Sequence, residues 1–407
     1  MLLRVVDYVA NPGGGVRFMV ELLAALANRS DDLRIELISH GTGLARYRQL
    51  IEPRLPGVRL VETSAQRRPF LQGRWRHRLP GATELQARLF GAGSLLRWQV
   101  SPQVFDGADL VWFPWVHWHE APPPGATHVV GTYHDAIMHQ CESVLPAALR
   151  NAAWQLEKGW FDSRARIVVS SEATRCATAT LFGPRARPVS IVRLSADHAS
   201  GLETAPLPAA WDWVDRPFIL CPANTSAHKN HETLLAGVAA WNAGIPLVLC
   251  GAGTDFTVAP QDPRGAALHA LAAESGLLTS GRLITLGYVS DALYYALLQR
   301  AWAVVMPTLA EGGGSFPVME ALQLGIPVIS SDIPVLREQV AYYGGRPLWF
   351  EPLAAGDLAD RLVALQLDYV WEREAAQAAR SSLLRRGWDD VATDYMKIFT
   401  AAAGGGT

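Results

Sequence analysis

Short runs rich in Val, Ile and Leu alternate with longer amphipathic stretches along the chain. That rhythm belongs to parallel strands, buried on both faces, joined by helical crossovers. In the first half, runs near 2–9, 34–39, 58–62, 110–113, 128–133, 166–170 and 189–193 predict strands, enough to fill one doubly wound sheet. The rhythm breaks over 200–217, which carries Pro206, Pro208 and Pro217, and a second series follows near 218–221, 246–250, 283–286, 303–306 and 327–330. Helical periodicity returns at 357–367 and 388–399. The expectation is an α/β protein with a Rossmann-like domain over 1–200, a linker over 201–217, a second Rossmann-like domain over 218–387, and a closing stretch, 388–407, that packs back towards the first. Two doubly wound domains facing across a cleft place the carboxyl ends of both sheets, where such sheets bind ligands, around one crevice.

Composition narrows the function. The 407 residues are 49% hydrophobic and 18% charged, with Lys+Arg 36 against Asp+Glu 38. A net charge of −2 gives no basic field to gather nucleic acid, so no nucleic-acid partner is expected. The only lysines are Lys158, Lys229 and Lys397. Cys141, Cys176, Cys221 and Cys250 form no CxxC pair and read as buried thiols in a reducing compartment. No apolar run of about 18 residues occurs, so a cytoplasmic protein is expected.

The strongest local signal is Glu311-Gly312-Gly313-Gly314-Ser315-Phe316-Pro317-Val318-Met319-Glu320, directly after a strand. Pro317 suits the first turn of a helix and Gly325 its C-terminal cap, which predicts a helix over 317–324. Glycines admit close approach of a ligand to the backbone, and free N–H groups at a helix start accept an anion such as a diphosphate. Carboxylates on either side accept hydrogen bonds from paired hydroxyls, as sugars and riboses offer. The alternative is an ordinary glycine turn flanked by two solvated glutamates.

The stretch 311–320, followed by Ala321-Leu322 and Gly325-Ile326-Pro327-Val328-Ile329-Ser330-Ser331-Asp332, resembles the E-x7-E region of retaining glycosyltransferase family 4. Further pieces fit in order. Pro12-Gly13-Gly14-Gly15-Val16-Arg17-Phe18 is similar to that family's N-terminal glycine loop, and Thr132-Tyr133-His134-Asp135 to its HD segment. Ser226-Ala227-His228-Lys229-Asn230-His231-Glu232 resembles its phosphate segment, Leu286-Gly287-Tyr288-Val289-Ser290-Asp291 the stretch near its nucleotide base, and Trp388-Asp389-Asp390-Val391-Ala392 its closing helix. Two departures stand out. Eight residues, 312–319, separate the glutamates where the family has seven, and Pro222-Ala223-Asn224-Thr225 stands where many members carry an arginine.

The resemblance implies a GT-B fold and metal-independent transfer of a hexose-class sugar, with retention, from a nucleoside diphosphate to a hydroxyl of a glycan or lipid-linked acceptor. It needs no cofactor beyond the nucleotide sugar itself. Lys229 and the backbone around Gly313, Gly314, Ser315, Phe316 and Val318 would hold the diphosphate, with Asn224 a neutral donor in place of the arginine. Glu320 would bind the ribose, Glu311 the donor sugar, and Tyr288 and Val289 would lie beside the base. Gly14 and Gly15 would meet the distal phosphate or the sugar, and His134 would hydrogen-bond the sugar unless it is a capped structural histidine. A front-face reaction, in which the leaving diphosphate helps deprotonate the acceptor, needs no protein base.

Competing readings are weaker. A dinucleotide fingerprint would need glycine where Phe18 stands, and no acid ends the second strand near 38–40. His117 with His119, and His134-Asp135 with His139, offer too few ligands for a closed metal site. A catalytically silent sugar-nucleotide-binding subunit and a sugar-nucleotide epimerase share the architecture. The stretch from Arg67 to Arg97 interleaves arginines with Phe70, Trp75, Phe90 and Trp98. It suggests a peripheral contact with the inner face of a membrane, or else an arginine-rich helical face.

Overall fold

A computed structural model describes residues 1–10, 14–29, 32–69, 96–142, 144–145, 147–185, 187–195, 204–258 and 262–404. The chain divides into two compact units, one of Met1–Ser195 with Arg386–Thr407, the other of Ala196–Arg385.

The first unit is built on parallel strands β1 (Leu2–Val6), β2 (Arg34–Ser39), β3 (Val58–Glu62), β6 (Leu110–Phe113), β7 (Val129–Tyr133), β8 (Arg166–Val169) and β9 (Ser190–Ile191), with an antiparallel pair, β4 (Gln66–Pro69) and β5 (Leu96–Gln99), beside them. The sheet order is β3-β2-β1-β6-β7-β8-β9. Leu3, Val5, Leu110, Val130 and Val168 are buried in it, as strands covered on both faces require. The C-terminal helix Trp388–Ala403 belongs to this unit. Its Tyr395 and Phe399 rings lie 5.1 and 5.5 Å from the ring of Trp112 on β6. The Gly387 N–H donates to Asp390 at 2.9 Å, satisfying an orphan donor at the helix start.

The second unit holds β10 (Ile219–Pro222), β11 (Leu247–Cys250), β12 (Leu283–Thr285), β13 (Ala303–Met306), β14 (Val328–Ser331) and β15 (Leu348–Phe350), in the order β12-β11-β10-β13-β14-β15. All its pairings are parallel, Ile219 lying opposite Leu247 on one side and Ala303 on the other. Both sheets therefore reverse direction beside their first strand, at β1/β6 and at β10/β13. The loops leaving these strands diverge, opening the crevice where open α/β sheets take ligands. The two doubly wound units follow from the alternating pattern. β15, the antiparallel pair β4/β5 and the helix Tyr369–Arg380 lay outside what that pattern marked.

Candidate functional site

At the reversal of the second sheet, the chain leaves β10 and makes a tight turn. The Asn224 side-chain oxygen accepts from the Ser226 N–H at 3.0 Å, starting the single helical turn Ala227–Lys229. Asn230 then takes a left-handed conformation, φ 54°, which asparagine tolerates best among side chains larger than glycine. Its amide donates to the Pro307 and Pro352 carbonyls at 3.0 and 2.7 Å. The His228 carbonyl accepts from the Leu309 N–H at 2.7 Å and the Thr308 hydroxyl at 3.1 Å. The turn after β10 is thus fastened to the loop after β13. Lys229 Nζ donates to Glu311 Oε1 across this junction at 2.5 Å, with the side chains 16% and 11% exposed.

Charge at the turn is confined to a few groups. Burial, then the nearby Lys229 and Arg264, pushes His228 down to about 3, and burial likewise takes His231 to about 4. Both histidines are neutral near pH 7. Arg264 forms a two-pronged pair with Glu232 at 2.7 and 2.9 Å and also donates to the Thr225 carbonyl.

The glycine loop is fixed from behind. Gly314 has φ +104°, and a Cβ there would lie 2.4 Å from Gln339 Cδ, so the position demands glycine. Gln339, 7% exposed, accepts from the Ser315 N–H at 2.9 Å and donates to the Ser315 carbonyl at 3.2 Å. The Ser315 amide is therefore already engaged. Its hydroxyl is buried without a hydrogen-bond partner among the described residues. The helix runs Phe316–Gln323, one residue earlier than the sequence suggests. Val318 is wholly buried, so only its backbone can face a ligand. Glu320 is buried one turn into the helix and accepts from the Tyr294 hydroxyl at 2.5 Å. Tyr294 stands on the helix Asp291–Arg300, which follows Tyr288 and Val289. Tyr288 is 68% exposed and Val289 packs against the core.

Asn224, Lys229, Glu311, Gly313, Gly314, Ser315, Phe316 and Glu320 thus gather on the segments leaving β10 and β13, while Tyr288 and Val289 follow β12. In the first unit, Gly14 and Gly15 open the helix Gly14–Ala27 after β1, and Pro12 and Gly13 of that loop lie outside the described residues. Phe18 on this helix meets His134 edge-on at 4.7 Å. His134 follows β7, 6% exposed, with Trp115 at 4.1 Å and the Ser170 hydroxyl 3.0 Å from Nδ1. Burial, reinforced by His117, lowers its pKa to about 3, so it can share hydrogen bonds but carries no charge near pH 7. Its Nε2 is buried without a partner among the described residues.

Two expectations need correction. Cys176 is exposed, not buried, because it falls on the outer face of the helix Glu172–Phe182. Arg97 is buried, where the charge of Glu157 favours its protonated form, and is no part of an open basic surface. The rest of the interfacial stretch, 70–95, lies outside the described residues, as do the side chains of Arg67 and Arg68. The remaining histidines serve locally: His117 faces the Asp135 carbonyl, His119 the Trp115 carbonyl, and His139 pairs with Glu157 at 2.8 Å. Among the described residues no group of three or more His, Cys, Asp or Glu could hold a metal ion, and no helix is long and apolar enough to cross a membrane. Gln339, Tyr294, Arg264 and Ser170 escaped the sequence reading, since each reaches its partner from another element.

With this geometry in hand, the comparisons are informative. A family model described as "Glycosyl transferases group 1" matches residues 208–381. Residues 208–381 form a glycosyltransferase group 1 domain. The phosphatidyl-myo-inositol mannosyltransferase of Mycobacterium leprae is 32% identical over 127 residues, 30% of this chain and 32% of that protein. The chain thus matches about a third of the length of this curated relative. The fold is GT-B. Sucrose-phosphate synthase from Thermosynechococcus elongatus superposes with TM-score 0.63 at 18% identity, covering 98% of this chain and 99% of that one. Anabaena HepE, solved with UDP and glucose, gives 0.64 at 15% over 98% and 99%. WaaG, a glycosyltransferase of lipopolysaccharide biosynthesis, gives 0.63 at 13% over 99% and 100%.

Proposed function

We propose that the protein is a retaining, metal-independent glycosyltransferase of family 4 type, moving a hexose-class sugar from a nucleoside diphosphate to a hydroxyl of a glycan or lipid-linked acceptor. The observation that carries this reading is the largely buried Lys229–Glu311 pair, set beside the Gly314 loop at the reversal of the second sheet and inside the group 1 domain. HepE, solved with UDP-glucose, and the M. leprae mannosyltransferase support a hexose donor.

Breaking the bond between the sugar C1 and the diphosphate oxygen leaves the electron pair, and the growing negative charge, on that oxygen. Fixed donors stabilise such charge without reorganising at the moment of reaction. Lys229 is the ammonium placed for this, with loop amides beside it, while Asn224 uses its oxygen on the Ser226 N–H and keeps its amide hydrogens to donate. The Ser315 N–H, held by Gln339, orders the loop and leaves phosphate contact to its neighbours. Glu320 Oε2 accepts from Tyr294, which orients the carboxylate, and we assign that carboxylate to the ribose hydroxyls. Glu311 takes the sugar hydroxyls, and Tyr288 and Val289 flank the base. To the first unit we assign hydroxyl and phosphate recognition through neutral His134 and the Gly14 and Gly15 amides. The departing diphosphate accepts the acceptor's proton on the same face, so configuration is retained.

The test is a panel of UDP-, GDP-, ADP- and dTDP-sugars scored for thermal stabilisation, then turnover with the stabilising donor in the presence of chelator. A ligand at about 100 times its Kd adds about 2.7 kcal/mol. Product of unchanged anomeric configuration, formed without added metal, is expected. Inverted product would overturn the mechanism, and stabilisation with neither turnover nor slow hydrolysis of the donor would point to a silent binding subunit. A peripheral membrane contact through the arginines from Arg67 to Arg88, without the buried Arg97, is proposed on sequence alone. Equal sedimentation of wild type and the Arg74/Arg76/Arg78 triple alanine variant with anionic liposomes would remove it.

A further inference from the structure

The Lys229–Glu311 pair has a second consequence. One oxygen of Glu311 lies 2.5 Å from the ammonium that the donor diphosphate is to occupy, and both side chains are largely withdrawn from solvent. The pair is not an isolated surface contact. Lys229 sits on a turn pinned by the Leu309 N–H and the Thr308 hydroxyl to the segment that leads into Glu311, so neither partner can leave cheaply by backbone movement. His228 and His231 are held neutral by burial, and Arg264 is engaged by Glu232, so neither histidine offers Glu311 a replacement charge near pH 7.

We propose that Glu311 is a specificity-determining competitor for Lys229, penalising sugar-free nucleoside diphosphates relative to nucleotide sugars. The inference rests on the donor-site reading given above. An arriving diphosphate competes with Glu311 for the charge of Lys229 and, as it closes on the ammonium, pushes the carboxylate away. With a nucleotide sugar, the displaced carboxylate is met by the sugar hydroxyls, and its hydrogen bonds are restored. With a sugar-free diphosphate the carboxylate is left largely buried and uncompensated beside two anionic phosphates, which is costly. The same exchange runs in reverse after transfer. Once the sugar has left, Glu311 reclaims Lys229 and loosens the product.

Isothermal titration of wild type, Glu311→Gln and Lys229→Ala with inorganic pyrophosphate, UDP and UDP-glucose tests this. Pyrophosphate makes the first arm independent of base preference. Glu311→Gln removes the competing charge and keeps the shape, so it is expected to bind pyrophosphate and UDP about tenfold more tightly than wild type, a gain of about 1.4 kcal/mol. UDP-glucose binding gains less or weakens, so preference for the sugar-bearing ligand falls. Glu311→Asp, which draws the carboxylate back, is expected to lie between, and Lys229→Ala to bind all three weakly. Equal or weaker pyrophosphate binding by a folded Glu311→Gln would overturn the exchange while leaving the donor site standing. No binding of any probe by wild type would bring down the donor-site reading and the exchange together.

Discussion

The two units share a topology and differ in what stands at its reversal. Beside β10 and β13 are an ammonium, a guanidinium and three carboxylates, all paired: Lys229 with Glu311, Arg264 with Glu232, Glu320 with Tyr294. In the first unit, after β1, β6, β7 and β8, the groups that gather are rings and neutral hydrogen-bonding groups, Phe18, Trp115, His134 and Ser170, while the Asp7 carboxylate directly after β1 is wholly buried and held by the Tyr47 hydroxyl and the Val9 N–H. A parallel sheet provides the same diverging loops in either case. Charged groups held in place suit a ligand whose charge grows during reaction, whereas neutral groups suit hydroxyls, which must be oriented without being bound too tightly.

The sharpest way to break this contrast is to remove the ammonium. Lys229→Ala is expected to lower kcat about 100- to 1,000-fold, as loss of one donor aimed at transition-state charge commonly does. Unchanged turnover in a folded variant would remove the assignment. Glu320→Gln comes next. If, as proposed, Glu320 accepts the ribose hydroxyls, losing that charged acceptor costs about 1.5 to 3 kcal/mol, so kcat/KM is expected to fall about 10- to 100-fold, mainly through KM. A fall confined to kcat would place Glu320 at the sugar instead.

The comparison also shows what a sequence can carry. The two doubly wound units are legible because strands covered on both faces are short and apolar, and their spacing by helical stretches leaves few other arrangements. The glycine loop, Lys229 and Glu320 are legible because they are local: each sits within a few residues of a strand end that the pattern marks. Gln339 is different. Its hydrogen bonds to Ser315 span 24 residues, and the helix Pro334–Tyr343 that carries it reads as an ordinary amphipathic crossover. Arg264 likewise reaches Thr225 and Glu232 from another crossover, and nothing in its neighbourhood announces the partner. Such residues are chosen by the packing of elements against one another, which local spacing does not encode.

Gln339 supplies a smaller effect with a distinct signature. Gln339→Ala deletes two buried hydrogen bonds to the backbone of one residue, Ser315, and opens space beneath Gly314. The loop keeps its residues and loses its brace, so kcat/KM is expected to drop about tenfold, near the cost of one or two ordinary hydrogen bonds. Gln339→Glu keeps the acceptor for the Ser315 N–H and loses the donor, and should recover part of the rate. Equal rates for Gln339→Ala and wild type would mean that the loop orders itself.

The least effect on rate, and the most even between units, should come from acid. His134 in the first unit and His228 and His231 in the second have pKa values depressed by burial to about 3, 3 and 4. In the unfolded chain a histidine titrates near 6.5, so between these values the unfolded state binds more protons than the native one. Stability from keeping them neutral is complete above about pH 6.5 and is lost as pH falls towards 3 to 4, by about 1.4 kcal/mol per pH unit for each fully titrating site. His134→Phe keeps a ring between Phe18 and Trp115 and deletes one of these protons. Denaturant titrations of the two proteins from pH 7 to 4.5 should therefore converge as pH falls, the wild type losing stability more steeply. Turnover of the wild type should show no titration belonging to His134 over the same range, since its charged form is absent throughout. Parallel stability curves would mean that His134 takes up its proton as readily in the native state as in the unfolded chain, and that it adds a positive charge to the first unit in acid.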